Sequence, residues 1–274
     1  MTAKEKRKLK SNLTTLATWL VSIIYAFPIL YMFITSIKPE EKVAPPRWDF
    51  TPTLENYAVV FSDELFTHLF NSVIITLITV LLAILLSLPA AYSIVFGNLK
   101  KAESYYNWFI TTTLLPAVAV VIPIYLAFNY VGVLDTRLGL ILLYTGAGVP
   151  LMIWMVKTFF EDVPYEIIEA ADIDGCSRFT SFFKIVLPLI KGGIFSTALL
   201  VFITTWNEFF FAVNMTYSKS STLSVYLNRF LTQQGFFWAK MSAAATVVVI
   251  IPIILGFFTQ KTLVKGLTVG AVKG

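Results

Sequence analysis

The stretch Glu169 to Pro188, EAADIDGCSRFTSFFKIVLP, is a polar island between two long apolar runs, and the fold turns on how it is read. Acidic and basic residues crowd into it, Gly175 divides it, and apolar sequence resumes from Ile190. Asp162 and Pro164, just ahead, supply a helix start: proline is tolerated in the first turn, and acids are favourable at the positive end of the helix dipole. From Pro164 to Asp174 the residues suit about three helical turns, with Ile167, Ala170, Ala171 and Asp174 along one side. Gly175 is expected to end that helix in the left-handed conformation, Ser177 to cap a second short helix, and Pro188 to stop it. Spacing alone leaves two readings equal, an elbow that merely joins two spans and a docking site for a partner.

The rest of the chain makes this a corner between membrane spans. Hydrophobic residues make up 57% and charged residues 14% of the sequence, with a mean hydropathy of +0.76, whereas soluble domains carry about 25% charged residues. Apolar runs reach about 20 residues or more, enough to cross hydrocarbon as helix, and the alternating segments of about ten residues expected of a membrane barrel do not occur. The expectation is an all-α integral membrane bundle of six spans, near 16–37, 71–96, 105–130, 138–159, 190–213 and 242–263. Residues 1–15 form a basic leading segment that resembles the start of a signal peptide. The run after it is too long for a signal core and ends without a small-x-small site, so it reads as an uncleaved first span.

With the N-terminus inside, the inner segments hold about twice as many Lys and Arg as the outer ones, and the positive-inside rule selects that orientation. Both termini and residues 160–189 are then cytoplasmic, and residues 214–241 form an extracytoplasmic loop. Topology, rather than nucleic acid, accounts for the net charge of +5. Trp48, Phe50 and Tyr57 suit a membrane interface. Pro28, Pro89, Pro116, Pro123, Pro150 and Pro252 fall in or near spans and invite kinks, while Gly146, Gly148 and the run Ala243 to Ala245 permit close helix approach. Glu208, beside Asn207, is the one charge within a span, a candidate for a pathway or a subunit contact.

Several chemistries lack their residues. Cys176 is the only cysteine and His68 the only histidine, so neither a disulfide nor a cluster of cysteine or histidine metal ligands can be assembled within the chain, and no Ser/His/Asp constellation accompanies His68. The segment Gly256 to Thr262 has the Lys and Thr of a phosphate loop but no glycine before Lys261. No catalytic, metal or cofactor-binding residue is assigned. An energy source on a separate ATPase chain fits these gaps. The rival is an ATP-independent secondary transporter or channel using Glu208.

Glu169-Ala170-Ala171, three residues, Gly175, nine residues, Ile185, one residue and Leu187-Pro188 resembles the complete EAA loop of ABC importer permeases. Asn56-Tyr57, Pro89-Ala90-Ala91-Tyr92, Trp206-Asn207-Glu208-Phe209 and the tail Gly270 to Gly274 resemble the carbohydrate-uptake branch, in the subunit type of the second maltose permease. The resemblance implies the type I ABC importer permease fold in the cell inner membrane, and it implies that Glu169, Ala170, Ala171, Asp174 and Gly175 form the centre of an ATPase contact. It also implies a second, homologous permease, two copies of a cytoplasmic ATPase that carry ATP and Mg, and an extracytoplasmic sugar-binding protein. Ser224, Gln233, Gln234 and Trp238 are candidate contacts for that last partner.

Overall fold

The structure, a computed structural model, describes residues 3–61, 63–232 and 235–269. Helices dominate, and they fall into two compact units, Met1–Asp63 with Leu227–Ile251 and Glu64–Tyr226 with Pro252–Gly274. In chain order the helices are α1 (Ala3–Ser36), α2 (Glu55–Val60), α3 (Asp63–Phe96), α4 (Ala102–Thr113), α5 (Ala117–Tyr130), α6 (Arg137–Glu161) and α7 (Tyr165–Ile173). There follow α8 (Arg178–Thr180), a π-helical segment (Ser181–Val186), α9 (Leu187–Leu189), α10 (Lys191–Trp206), α11 (Phe210–Met215), α12 (Leu223–Asn228) and α13 (Trp238–Val269). Strands β1 (Leu231–Thr232) and β2 (Gly235–Phe236) pair antiparallel before α13. The segment Gly256 to Thr262 lies inside α13, so it forms no phosphate loop.

Among the described residues, four helices are long and apolar enough to cross a membrane (in α1, α3, α6 and α13), and two bent pairs bring the number to 6 if each is one span. The expected third span is broken, with α4 and α5 meeting at 93°. Pro116 accounts for the break. It lacks an N–H and its ring crowds the carbonyl four residues back, so α4 ends and α5 starts afresh from it. In an apolar environment freed polar groups need partners close by. Around the break the hydroxyls of Thr111, Thr112 and Thr113 donate to the carbonyls of Asn107, Phe109 and Ile110.

The first unit is built around Lys38, 0% exposed. Its ammonium donates to the Arg47 carbonyl at 2.9 Å and lies over the rings of Trp48 (4.4 Å), Phe50 (4.9 Å) and Tyr31 (5.6 Å). Two residues expected at a membrane interface, Trp48 and Phe50, thus wall in a lysine, and the third, Tyr57, shares a 2.8 Å hydrogen bond with Ser36. Asn56 pins the turn by donating to the carbonyls of Ser36 and Lys38. Glu40 accepts from the backbone N–H groups of Ala239 and Lys240, placing an anion at the start of α13.

The core of the second unit joins α3, α6, α10 and the corner through Ala83, Met152, Ile153, Val156, Phe160, Ile168, Phe182, Val186 and Val201. Close approach is set by small residues. Gly148 faces Val201 and Ala83, and at Gly193 an added methyl would land in the ring of Phe159. Gly146, expected to serve the same purpose, has open space where a side chain would point. Ser87 ties α3 to α6 by donating to the Val149 carbonyl at 3.2 Å, next to Pro150.

Candidate functional site

The corner begins with Pro164 at the N-cap of α7 and Glu166 in the first turn. It ends as Gly175 turns to φ +75°, with the N–H of Cys176 reaching the Ala171 carbonyl (2.9 Å) and that of Gly175 the Asp172 carbonyl (3.1 Å). This is a Schellman termination, which satisfies the last carbonyls of the helix and favours a glycine. Ser177 accepts from the N–H of Thr180 and opens the next helix. That helix does not stop at Pro188. The backbone widens into the π-helical segment, the N–H of Leu187 bonding to the Phe182 carbonyl, and runs on to Leu189 before bending 78° into α10. A widened turn relieves the clash a proline makes with the carbonyl four residues back.

Glu169, Ala170, Asp174 and Gly175 are exposed together, as an outward face requires. Ala171 is not among them. It is 3% exposed and lies on the inward side of α7 with Ile168. Two apolar side chains that the sequence reading missed, Ile173 (86% exposed) and Phe179 (72%), flank Gly175 in the open. Apolar residues beside charged neighbours at a turn were the available signal, since a turn has no buried side for them.

The inward side of the corner is seated by aromatic packing. Tyr92 of α3 meets Phe182 edge-on at 5.0 Å and Phe160 of α6 at 5.8 Å, and Phe96 stacks on Tyr165 at 6.4 Å. These contacts join the corner to α3 and α6, and packed interiors of this kind have little room to absorb displacement. Between the end of α3 and the corner lies a cleft of about 330 Å³.

Glu208 sits outside regular helix, in the joint between α10 and α11. Its Oε2 accepts from the Tyr144 hydroxyl (2.7 Å) and the Ala212 N–H (3.1 Å), and its Oε1 from the Phe211 N–H (2.9 Å). Asn207 turns the other way, is exposed, and donates to the Ile203 carbonyl of its own helix. A cleft of about 160 Å³ opens beside the joint, lined by Tyr144, Gly148, Leu151, Thr204, Thr205 and Glu208.

Ser224 belongs to this joint: its hydroxyl donates to the Glu208 carbonyl at 2.7 Å. Trp238 lies in the other compact unit, partly exposed against Phe236, while Gln233 and Gln234 lie outside the described residues. The loop before α12 is held from two sides. His68 and Asn71 of α3 bond to the Ser221 carbonyl, and Arg137 donates to Asn71. The lone histidine is thereby a half-buried structural residue, packed 5.1 Å from Tyr226. Asp135, at φ +51°, gathers donors from Tyr217 through Ser220. Burial pushes its carboxyl up, but hydrogen bonds from Tyr217, Lys219 and Ser218 outweigh it and hold the carboxyl below the usual range.

Broken apolar helices around a shared core, a bent joint with a pinned carboxylate and a corner seated on that core define a polytopic helical membrane protein. Residues 83–269 match the model of the family described as binding-protein-dependent transport system inner membrane component, and the chain belongs to that family. It is 36% identical over 275 residues to a probable ABC transporter permease protein, y4oR, of Sinorhizobium fredii, covering 99% of this chain and 98% of the relative. It is 34% identical over 252 residues to the trehalose transport system permease protein SugB of Mycobacterium tuberculosis, covering 90% and 92%. In fold it is similar to a chain of a bacterial ABC transporter involved in the import of the acidic polysaccharide alginate, with a TM-score of 0.77 at 20% identity over 95% of this chain and 98% of that one.

Proposed function

We propose that this chain is the permease subunit of an ATP-driven carbohydrate importer, in which closure of ATPase partners on the corner alternates access to the pathway. The observation that carries the reading is the two-sidedness of the corner. Its outer face offers Glu169, Ala170, Ile173, Asp174 and Gly175 to a partner, while Ile168 and Phe182 belong to the core that contains α3, α6 and α10. A partner gripping the outer face therefore holds three helices at once, and the two stable arrangements needed for alternating access follow from packing that shifts as a body.

The family supports a binding protein as a further partner, and the trehalose relative supports a sugar as the solute. Within this reading a second, homologous permease completes the pathway. Two cytoplasmic ATPase copies hold ATP and Mg, this chain does no hydrolysis, and residues 160–189 face the cytoplasm. Glu208 spends its acceptor bonds on Tyr144 and on the start of α11, which fits a fixed pin in the pathway wall better than a mobile ion carrier.

Reconstitution tests this directly. Vesicles containing the assembled transporter, supplied with ATP, binding protein and sugar but no ion gradient, accumulate sugar. Accumulation driven by an ion gradient without ATP rejects the reading in favour of a secondary transporter.

A further inference from the structure

The cleft between the end of α3 and the corner is walled partly by the rings that seat the corner and partly by polar groups that take no part in that packing, and those walls have the chemistry of a ligand site. Asp172 of α7 and Arg178 of α8 are exposed at it, and neither forms an ion pair among the described residues. Rings line the same space: Tyr92, Phe182 and the largely open Phe179. Ser181 lines it too, 1% exposed, and its hydroxyl has no hydrogen-bond partner. A buried hydroxyl left without a partner is costly, so such a group marks a place where a partner is expected.

The combination selects a chemistry. Asp172 works against an anion and Arg178 against a cation, while the orphan hydroxyl and the two charges work against a purely apolar guest; a neutral polar guest and a zwitterion both fit, and the importer reading selects the neutral sugar. A sugar ring meets all of these requirements. Its hydroxyls both donate and accept, and its C–H face packs on aromatic rings. The volume, about 330 Å³, lies at the small end of the range for small-molecule sites, roughly 300–1,000 Å³, which suits one ring rather than an oligosaccharide.

We propose that this cleft binds a single sugar ring from the cytoplasmic side and slows the transporter when occupied. The inference rests on the importer reading for its orientation and its solute. A guest there touches α3, α7 and the π-helical segment together, favours the arrangement in which the cleft is open, and opposes any step that changes the spacing of the corner and α3. Accumulated product thereby restrains its own uptake without a regulatory domain.

The test uses the assembled transporter in lipid nanodiscs without binding protein, titrated with glucose, methyl α-glucoside, trehalose and inorganic phosphate. At least one sugar is expected to bind and phosphate is not. Because the Ser181 hydroxyl has no partner in the empty protein, Ser181→Ala does not lower stability while weakening sugar binding about tenfold, the worth of one hydrogen bond. Arg178→Gln weakens it similarly. In inside-out vesicles the same sugar, added on the ATPase side, slows ATP turnover in the unaltered protein and not in Ser181→Ala. Binding of no sugar, binding of phosphate instead, or sugar binding indifferent to both substitutions overturns the proposal. ATP-driven uptake measured on the same preparations separates the outcomes: intact uptake without cleft binding rejects only the cleft, and ATP-independent uptake rejects the importer reading.

Discussion

Tyr144 of α6 donates its hydroxyl to Glu208 at 2.7 Å, across 64 residues of sequence, and so fastens the joint between α10 and α11 to a helix of the core. A hydrogen bond to a charged acceptor is worth about 1.5–3 kcal/mol. Tyr144→Phe should therefore lower the thermal midpoint of the detergent-solubilised protein by several degrees with membrane insertion intact. Glu208→Ala, which also strips the caps from Phe211 and Ala212, should cost more and abolish uptake. Equal midpoints for all three proteins would show that the joint is held by something else.

Gly175 makes a graded test of coupling. A side chain there meets nothing within 4 Å, so the penalty comes from the backbone alone, about 1–2 kcal/mol for an ordinary residue in the left-handed region. Asparagine tolerates that region better than alanine, and valine tolerates it least. Sugar-stimulated ATP turnover should fall in the order Gly175, Gly175→Asn, Gly175→Ala, Gly175→Val. A ranking by side-chain volume with asparagine below alanine would point to steric exclusion of the partner instead.

At Gly193 the expected penalty is steric. Gly193→Ala drives a methyl into the Phe159 ring, and overpacking of this kind costs about 1–3 kcal/mol. Pairing it with Phe159→Leu should recover much of the loss, a coupling that a double-mutant cycle on thermal stability reads out. Strict additivity of the two changes would remove the contact from consideration.

Asp135 gives the fold a dependence on acid. Its carboxyl is held below the usual range, so its contribution is complete above the unfolded value of about 3.9 and is lost as pH falls through the lower, folded value. Proteolysis between Tyr217 and Ser220 should accelerate on acidification over that interval. Asp135→Asn should make the same bonds fast to cleave already at neutral pH.

Lys38 tests the first unit. Replacing it by Met keeps the stem but removes the charge from the three rings and the Arg47 carbonyl, an interaction worth about 2 kcal/mol or more where water is excluded. Lys38→Met should loosen residues 39–53, seen as faster hydrogen exchange there, and leave α10 unchanged.

The corner was legible because its signals are local. A proline, about three turns and a glycine that accepts positive φ specify α7 and its end without help from distant residues. Which alanine faces outward was not legible. Ala170 and Ala171 have the same side chain, and only the packing of Ile168 and Phe182 decides that Ala171 turns in. The spans were readable from hydropathy, but an average over some twenty residues cannot see a break within one. Pro116 marks where α4 ends, yet the 93° angle depends on tertiary packing. The bond from Ser224, a candidate binding-protein contact, to the Glu208 carbonyl was not legible, because that carbonyl becomes its neighbour only once the intervening loop is tied to α3 and Asp135. Lys38 read as an outer basic residue because most of its enclosure, Arg47, Trp48 and Phe50, is made by residues further along the chain.

The segment Lys191–Trp206 is uninterrupted helix with a bend at one end and an unwound joint at the other. Sixteen residues of helix measure about 24 Å, most of the thickness of a bilayer's hydrocarbon. A rod of that length carried on two pivots can tilt without stretching any of its own hydrogen bonds. A tilt of a few degrees begun at Ile190 and shared with α3 and α6 carries Glu208 and its partner Tyr144 together by about an ångström. The pivots also confine the change in shape to the few residues at each end, so α10 itself stays a transmitter of position and never a store of strain.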